Sequence, residues 1–324
     1  MGKIIDVHTH HMIPEYYKAL VDNDALEEDG FPIPKPEEWS IEKHIEFMDR
    51  ADVRWSLSYI SSPQPHFGDD EACISLMRLI NERLAAYKLQ YPKRFGFAAH
   101  LPLPVIDNSI EEAIYCLDVL GADAVRMGSN LRGIYLGDKQ TEPLFEELNK
   151  RNAIVVIHPQ VPSPVNKDVW TGGPIPIYEF IADTTRGVLN YIANGFSEKF
   201  PNVRLVVPHN GSFLPNIAAR FVNIMGTLIR FERMEYMDVE GAIKSLYFDT
   251  AGSPCPNLDF LMEIADPTHV LFGSDYPFKR MDNALFSVNY TRGYIDGNPK
   301  LRPYSDMILC DNAATLFGID IDDT

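Results

Sequence analysis

The feature that most constrains the fold of this chain is a repeated alternation of short apolar runs with amphipathic segments. The apolar runs lack polar alternation, which indicates strands buried on both faces, as in a parallel sheet. Eight such strands are predicted, at Lys3–Val7, Arg54–Ile60, Arg94–Ala99, Asp123–Met127, Ala153–Ile157, Val203–Val207, Leu246–Asp249 and Val270–Phe272.

Helical patterns fill the intervals between these runs. Ser109 and Glu112 have the spacing of a capping box, and Gly121 stands where a left-handed residue would end that helix. Further helices are predicted at Phe180–Phe196, Pro215–Met234, Asn257–Ala265 and Ser305–Phe317. Eight strand–helix units predict an α/β fold, the (β/α)8 TIM barrel. A doubly wound open sheet is the alternative, but no glycine-rich phosphate loop follows the first strand.

The length of 324 residues fits a single barrel domain over 1–324. Two long segments interrupt the alternation, Met12–Trp39 after the first strand and Pro159–Pro176 after the fifth. In a barrel both segments follow the carboxyl ends of strands, where active sites are built. They are predicted to be a lid or a binding wall, with surface decoration or a subunit contact as the alternative.

Charge and hydropathy exclude several classes of partner. The chain has 46 acidic and 29 basic residues and a net charge of −17, which argues against duplex nucleic acid or an anionic membrane surface. No apolar run is long enough to span a membrane, and Asp6 and three histidines break up any leader-like segment. The four cysteines are far apart and are interpreted as buried thiols. We therefore expect a cytoplasmic protein.

Histidines and an aspartate stand at the ends of several predicted strands. His8 and His10 are two residues apart, so their rings point to the same face of the first strand. His158, His209 and Asp275 end the fifth, sixth and eighth strands. Because the strands of a barrel end at one rim, these five side chains are predicted to surround one point. Imidazole and carboxylate groups are ligands of divalent metals, so a metal site is predicted there.

Arg126 on the fourth strand limits the number of metal ions. Two-metal barrels often bridge the ions with a carboxylated lysine on that strand, whereas a guanidinium stays protonated. One divalent metal is therefore predicted. Arg126 is interpreted either as a bidentate contact for a substrate carboxylate or as part of a structural ion pair. His11 points to the opposite face of the first strand and is interpreted as a rim histidine.

Several motifs resemble the amidohydrolase superfamily and, within it, the metal-dependent decarboxylases of aminocarboxymuconate semialdehyde, γ-resorcylate and 6-methylsalicylate. The resemblance extends from Ile4 to Gly318. The motifs are D-V-H-T-H, V-V-I-H-P, P-N-V-R-L-V-V-P-H-N-G-S, G-S-D-Y-P-F and D-N-A-A-T-L-F-G. The third of them reads H-N-G-S where the family frequently has H-G-G-G.

The resemblance implies a role for each matching residue. The implied metal ligands are His8, His10, His158 and Asp275. His209 is implied as an acid/base group, and His8 in its position favours Zn²⁺, with Mn²⁺ as the alternative. Arg220 matches an arginine that binds substrate carboxylate, and Trp170 loosely matches an aromatic residue on the loop after the fifth strand. Arg280 is interpreted as a second carboxylate contact or as a surface charge.

The resemblance also implies the reaction, a non-oxidative decarboxylation of a small aromatic or dienoic carboxylate such as a hydroxybenzoate. Loss of CO₂ leaves a carbanion that must be protonated, and His209 and Asp275 are the predicted proton carriers. A metal-dependent hydrolase of a lactone, ester or amide is the alternative, and a non-catalytic metal-binding barrel is the third possibility. Family members are dimers or tetramers, so a homodimer or homotetramer is expected.

Overall fold

Eight parallel strands follow one another around the protein in sequence order. The computed structural model describes residues 3–27, 30, 33–164, 173–252 and 256–321. The parallel strands are β1 Ile4–His10, β2 Val53–Tyr59, β3 Phe95–His100, β4 Ala124–Gly128, β7 Ile154–His158, β8 Arg204–Val207, β9 Tyr247–Asp249 and β10 Val270–Leu271. A small antiparallel hairpin, β5 Asn130–Leu131 and β6 Ile134–Tyr135, follows β4.

Backbone hydrogen bonds between β1 and the segment after β10 close the sheet. The amide of Val7 donates to the carbonyl of Phe272 at 2.9 Å, and the amide of His10 donates to the carbonyl of Tyr276 at 2.8 Å. The amide of Asp275 donates to the carbonyl of His8 at 2.9 Å. The predicted TIM barrel is confirmed, and its closure places the last barrel strand beside the first.

Helices connect the strands and pack on the outside of the barrel. They are α1 Pro14–Asp22, α2 Ile41–Arg50, α3 Asp70–Gln90, α4 Ile106–Ile114, α5 Glu142–Lys150, α6 Glu179–Ala193, α7 Phe196–Lys199, α8 Pro208–Gly211, α9 Leu214–Arg230, α10 Val239–Lys244, α11 Asn257–Met262, α12 Met281–Gly297 and α13 Asn312–Phe317. π-Helical turns at Tyr115–Leu120 and Met307–Asp311 extend α4 and precede α13. Among the described residues, none of the helices has the length and apolar character to cross a membrane.

The predicted capping box at the start of α4 is wrong. The helix begins at Ile106, so Ser109 lies inside it and does not cap it. Glu112 instead accepts a hydrogen bond from Nδ2 of Asn81 on α3 at 2.8 Å. A tertiary contact between two helices therefore uses the carboxylate that local spacing assigned to a cap. Gly121 ends the following turn in the left-handed conformation, as predicted.

Apolar side chains cover both faces of the barrel strands. One large cluster lies between strands and helices and includes Phe47, Val125 and Phe145. A second cluster joins strand residues such as Val156 to Ala313 near the carboxyl terminus. The described cysteines are free and buried, as predicted.

His11 does point away from its neighbours on β1, but its predicted place at the rim is wrong. Its side chain is buried in an aromatic environment, with its ring centre 4.8 Å from that of Trp39 and 5.2 Å from that of His44. The alternation of side chains along a strand gave the correct face. The tertiary structure covers that face with α2 and its preceding segment.

Candidate metal centre and adjoining cavity

Three histidines and one aspartate converge at the carboxyl end of the barrel. His8 and His10 lie on β1 and His158 ends β7, and each offers one ligand nitrogen within 4.8 Å of the other two. Oδ1 of Asp275 lies 3.2 Å from Nε2 of His10 and 3.7 Å from Nε2 of His8. The three imidazoles are buried. Barrel closure therefore brings together groups that are separated by up to 267 positions in the sequence.

The outer nitrogen of each imidazole is within hydrogen-bond distance of an oxygen atom. The acceptors of the Nδ1 atoms are Oδ2 of Asp249 for His8 at 2.8 Å, the carbonyl of Tyr59 for His10 at 3.3 Å and the carbonyl of Pro159 for His158 at 2.9 Å. Carbonyl and carboxylate oxygens only accept, so we assign the proton of each ring to Nδ1. The Nε2 lone pairs are then available to a metal ion.

The inner atoms form an arrangement that a cation would satisfy. Burial lowers the pKa of His10 to about 4, so its ring is neutral near pH 7. Burial raises the pKa of Asp275, but the proximity of His10 and His8 outweighs it and holds the pKa below its usual range, so the carboxylate is ionised. A neutral Nε2 and an anionic oxygen, both acceptors, therefore face each other at 3.2 Å. Nε2 of His8 is buried without a hydrogen-bond partner among the described residues. This donor set fits one divalent ion.

Asp249 is a second buried carboxylate that sequence reasoning missed. Besides binding His8, it accepts backbone hydrogen bonds from His209 at 3.1 Å and from Ala251 at 2.9 Å through Oδ1. Burial by itself would lower the pKa of His8. The negative charge of Asp249 and its hydrogen bond to the ring outweigh burial, so the pKa of His8 is raised. Asp249 is the last residue of β9. The rule that identified the other strand-end residues would also have identified this one.

His209 lies beside the metal centre rather than within it. Its ring centre is 5.3 Å from that of His8, and its side chain lines the adjoining cavity. It begins a run of left-handed residues, with φ of 57°, 54°, 74° and 58° at positions 209, 210, 211 and 212. Asn210 and Ser212 thus adopt a conformation that favours glycine, and both side chains line the cavity. Burial and the proximity of His8 lower the pKa of His209.

A cavity of about 500 Å³ opens over this centre, a volume suited to a small one-ring ligand. Ser61, His158, His209 and Asp275 form part of its polar lining. The apolar part consists of Ile33, Pro176, Ile177, Phe180, Ile181, Phe213, Ala251 and Phe278. The long segment after β1 contributes Ile33, and the one after β7 contributes Pro176, so both reach the cavity as binding walls would.

The residues predicted to bind substrate occupy different places. Arg126 is buried beside the cavity, where Nη2 donates to the carbonyl of Ser61 at 3.3 Å. Arg220 is exposed on α9 and is not part of the described cavity lining. Trp170 lies outside the described residues. Lys279, which sequence reasoning passed over, lines the cavity, whereas its neighbour Arg280 is exposed. The substrate-binding roles of Arg126, Arg220 and Trp170 stay predictions.

Known proteins resemble this chain over nearly its whole length. A 6-methylsalicylic acid decarboxylase from Penicillium expansum is 29% identical over 301 residues, which are 90% of each chain. A crystal structure described as amidohydrolase II is 32% identical, has a TM-score of 0.89, and covers 97% of this chain and 99% of its own.

A third comparison concerns the fold alone. A crystal structure of 5-carboxyvanillate decarboxylase from Novosphingobium aromaticivorans, complexed with manganese and a nitrobenzoic acid, has a TM-score of 0.81 at 20% identity. It covers 97% of this chain and 95% of its own.

The family model described as amidohydrolase matches residues 5–319. The resemblance predicted from the motifs is thus confirmed, and the chain belongs to the amidohydrolase family.

Proposed function

We propose that this protein is a metal-dependent, non-oxidative decarboxylase of a small aromatic carboxylate such as a hydroxybenzoate. The observation that carries the proposal is the inward-facing set of three imidazole nitrogens and the Asp275 carboxylate, placed beside a cavity of about 500 Å³. The similarity to a 6-methylsalicylic acid decarboxylase over 90% of both chains supports this choice of reaction.

The residues that would hold the cation are His8, His10, His158 and Asp275. When bound, the cation would fix a substrate carboxylate together with a neighbouring oxygen and would stabilise developing negative charge. Three imidazoles and one carboxylate are a common ligand set for Zn²⁺, which we propose as the resident ion, with Mn²⁺ as the alternative. Elemental analysis of the purified protein distinguishes the two.

The reaction requires a proton as well as an electrostatic centre. The bond between a ring carbon and its carboxylate breaks, CO₂ leaves, and the electron pair that remains on the carbon accepts a proton. We assign this proton transfer to His209, because its ring lines the cavity next to the ligand set. Asp275 is the second candidate, since it also faces the cavity.

The apolar part of the lining would hold the substrate ring and exclude water. Phe278 packs edge-on against His10, with ring centres 5.2 Å apart, so it forms a wall directly beside the metal ligands. Substrate contacts from Arg126, Arg220 and Trp170 belong to the same proposal, as does assembly into a homodimer or homotetramer. Light scattering at micromolar concentration tests the assembly.

The test of the reaction is a panel assay with metal-loaded protein. The panel contains hydroxybenzoates, carboxymuconate analogues and lactones, and the readouts are CO₂ release and the mass of the product. We expect CO₂ from at least one aromatic acid. Opening of a lactone with no CO₂ from any acid would establish the hydrolase alternative instead. A metal-loaded protein that turns over no compound of the panel would favour the non-catalytic barrel.

Replacement of His209 tests the proton transfer separately from metal binding. We expect His209→Ala to keep its metal and to lose roughly 10²- to 10⁴-fold in turnover, the usual contribution of a positioned acid or base. His269→Ala is the matched control, because that ring stacks on Tyr247 and is not part of the described cavity lining. Turnover of His209→Ala close to that of the control would remove His209 from the mechanism.

A further inference from the structure

Lys279 gives the cavity a positive charge that the proposed chemistry does not use. Among the described residues that line the cavity, it is the single lysine and no arginine accompanies it. The single carboxylate of that lining is Asp275, which is already engaged with His8 and His10. The described residues offer Lys279 no ion pair of its own.

Two neutral acceptors hold the ammonium group on one wall. Nζ of Lys279 lies 2.9 Å from Oγ of Ser287 and 3.4 Å from the carbonyl oxygen of Gly252. Gly252 in turn lies next to the ring of His209, since a Cβ added to Gly252 would lie 3.4 Å from Cδ2 of His209. The ammonium therefore lies on the His209 side of the cavity, held by Ser287 and Gly252 rather than by any of the four proposed ligand side chains.

The two hydrogen bonds that hold Lys279 leave one donor of its ammonium group for a ligand. An ammonium group has three donors, and Ser287 and Gly252 account for two of them. A partly buried cation with neutral neighbours is incompletely compensated, so an anion in the cavity would gain a charge-assisted hydrogen bond from it. The reacting carboxylate belongs with His8, His10, His158 and Asp275. Because none of those four side chains is among the hydrogen-bond partners of Lys279, we take an anion beside Lys279 to be a second group.

We propose that Lys279 determines specificity by binding an anionic substituent of the substrate that is separate from the reacting carboxylate. The preferred substrates are then dianionic aromatic acids, of which hydroxybenzenedicarboxylates are the simplest. This inference deepens the proposed function and rests on it for the position of the reacting carboxylate.

The experiment compares two ligands by calorimetry on the metal-loaded protein, so it needs no turnover. The ligands are 2-hydroxybenzoate and 2-hydroxyterephthalate, which differ in one carboxylate on the far side of the ring. We expect the wild type to bind the dicarboxylate more tightly. Lys279→Met should weaken dicarboxylate binding by about 10- to 100-fold, the effect of one hydrogen bond to a charged group, and monocarboxylate binding by less than about twofold.

Two further variants complete the design. Lys279→Arg keeps the charge and should keep the preference for the dicarboxylate. Arg280→Met removes the neighbouring exposed cation and should leave the affinities for both ligands at the wild-type value. If the loss of any positive charge weakened dicarboxylate binding, Arg280→Met would weaken it as much as Lys279→Met does. Retained monocarboxylate binding by Lys279→Met shows that the variant is folded.

Three results would overturn the proposal: no dicarboxylate preference in the wild type, equal losses for both ligands in Lys279→Met, or no loss for either ligand. Failure of the proposed reaction is a different outcome, because it is read from CO₂ release. A preference that depends on Lys279, with no CO₂ from the dicarboxylate or from any acid of the panel, would retain the anion site and reject the decarboxylase.

Discussion

Two groups of histidines lie on opposite faces of β1, and their contrast explains how this fold separates a reactive site from a core. The first is the candidate metal centre of His8, His10 and His158, called the metal centre below. The second, which we call the aromatic cluster, consists of His11, His44 and Trp39. His10 and His11 are adjacent in sequence and both are buried, yet their rings are in different chemical environments.

The difference lies in the groups that accompany the imidazoles. In the metal centre each ring contacts an oxygen through Nδ1, and Asp275 faces the inner nitrogens. In the aromatic cluster the ring nitrogens of His11 and His44 have no hydrogen-bond partner among the described residues. Burial lowers the pKa of His11 to about 3 and that of His44 far below its ordinary value. Burial alone thus yields neutral rings without hydrogen-bond partners, whereas oriented carboxylates and carbonyls fix the ring tautomer that a metal ligand requires.

The strongest test of this contrast is removal of a ligand from the metal centre. We expect His158→Ala to lose its metal and its turnover, with a loss of affinity larger than the roughly 10- to 100-fold that an outer hydrogen-bond partner contributes. Elemental analysis after dialysis measures the metal. An unchanged metal content would show that His158 is not a ligand.

Asp249 sharpens the contrast, because its hydrogen bond to the proposed ligand set is the one to Nδ1 of His8. We expect Asp249→Asn to lower metal affinity by roughly 10- to 100-fold, since the amide can no longer fix the proton on Nδ1 of His8 with a full negative charge. Titration with a chelator measures the change. Asp183→Asn is a useful comparison, because this equally buried aspartate accepts hydrogen bonds from Ser129 and Asn130 rather than from a histidine ring, and it should leave metal affinity unchanged.

The smallest effect is expected in the aromatic cluster, and it concerns stability. His44 takes up a proton near pH 6.5 in the unfolded chain but stays neutral in the folded protein, so its protonation at low pH stabilises the unfolded state. The free energy of unfolding should therefore fall as the pH drops below about 6.5, by about 1.4 kcal/mol per pH unit for this histidine. His44→Phe should remove that part of the slope and leave metal content unchanged.

Urea denaturation of wild type and His44→Phe at pH 7, 6 and 5 measures the two slopes. Equal slopes in both proteins would mean that His44 is protonated in the folded state, and the distinction between the two histidine groups would fail. A loss of metal in His44→Phe would show instead that the aromatic cluster supports the metal centre.

The amino-acid sequence by itself determined the barrel, the placement of His8, His10, His158, His209 and Asp275 at or just beyond the carboxyl ends of strands, and the face on which each side chain of β1 points. These features follow from apolar periodicity and from the alternation of side chains, which depend on local backbone geometry. The same reasoning failed where a distant partner intervenes, as for Glu112, which binds Asn81 rather than capping its own helix.

The tertiary structure alone decided the pairing of Asp249 with His8, the burial of His11 among aromatic rings, and the choice of Lys279 over Arg280 as the cation of the cavity. Each of these depends on distances between segments that are far apart in the chain. Such distances are set by barrel closure, helix packing and loop conformation, because many weak contacts over the whole molecule fix them together. Periodicity in one segment carries no information about them.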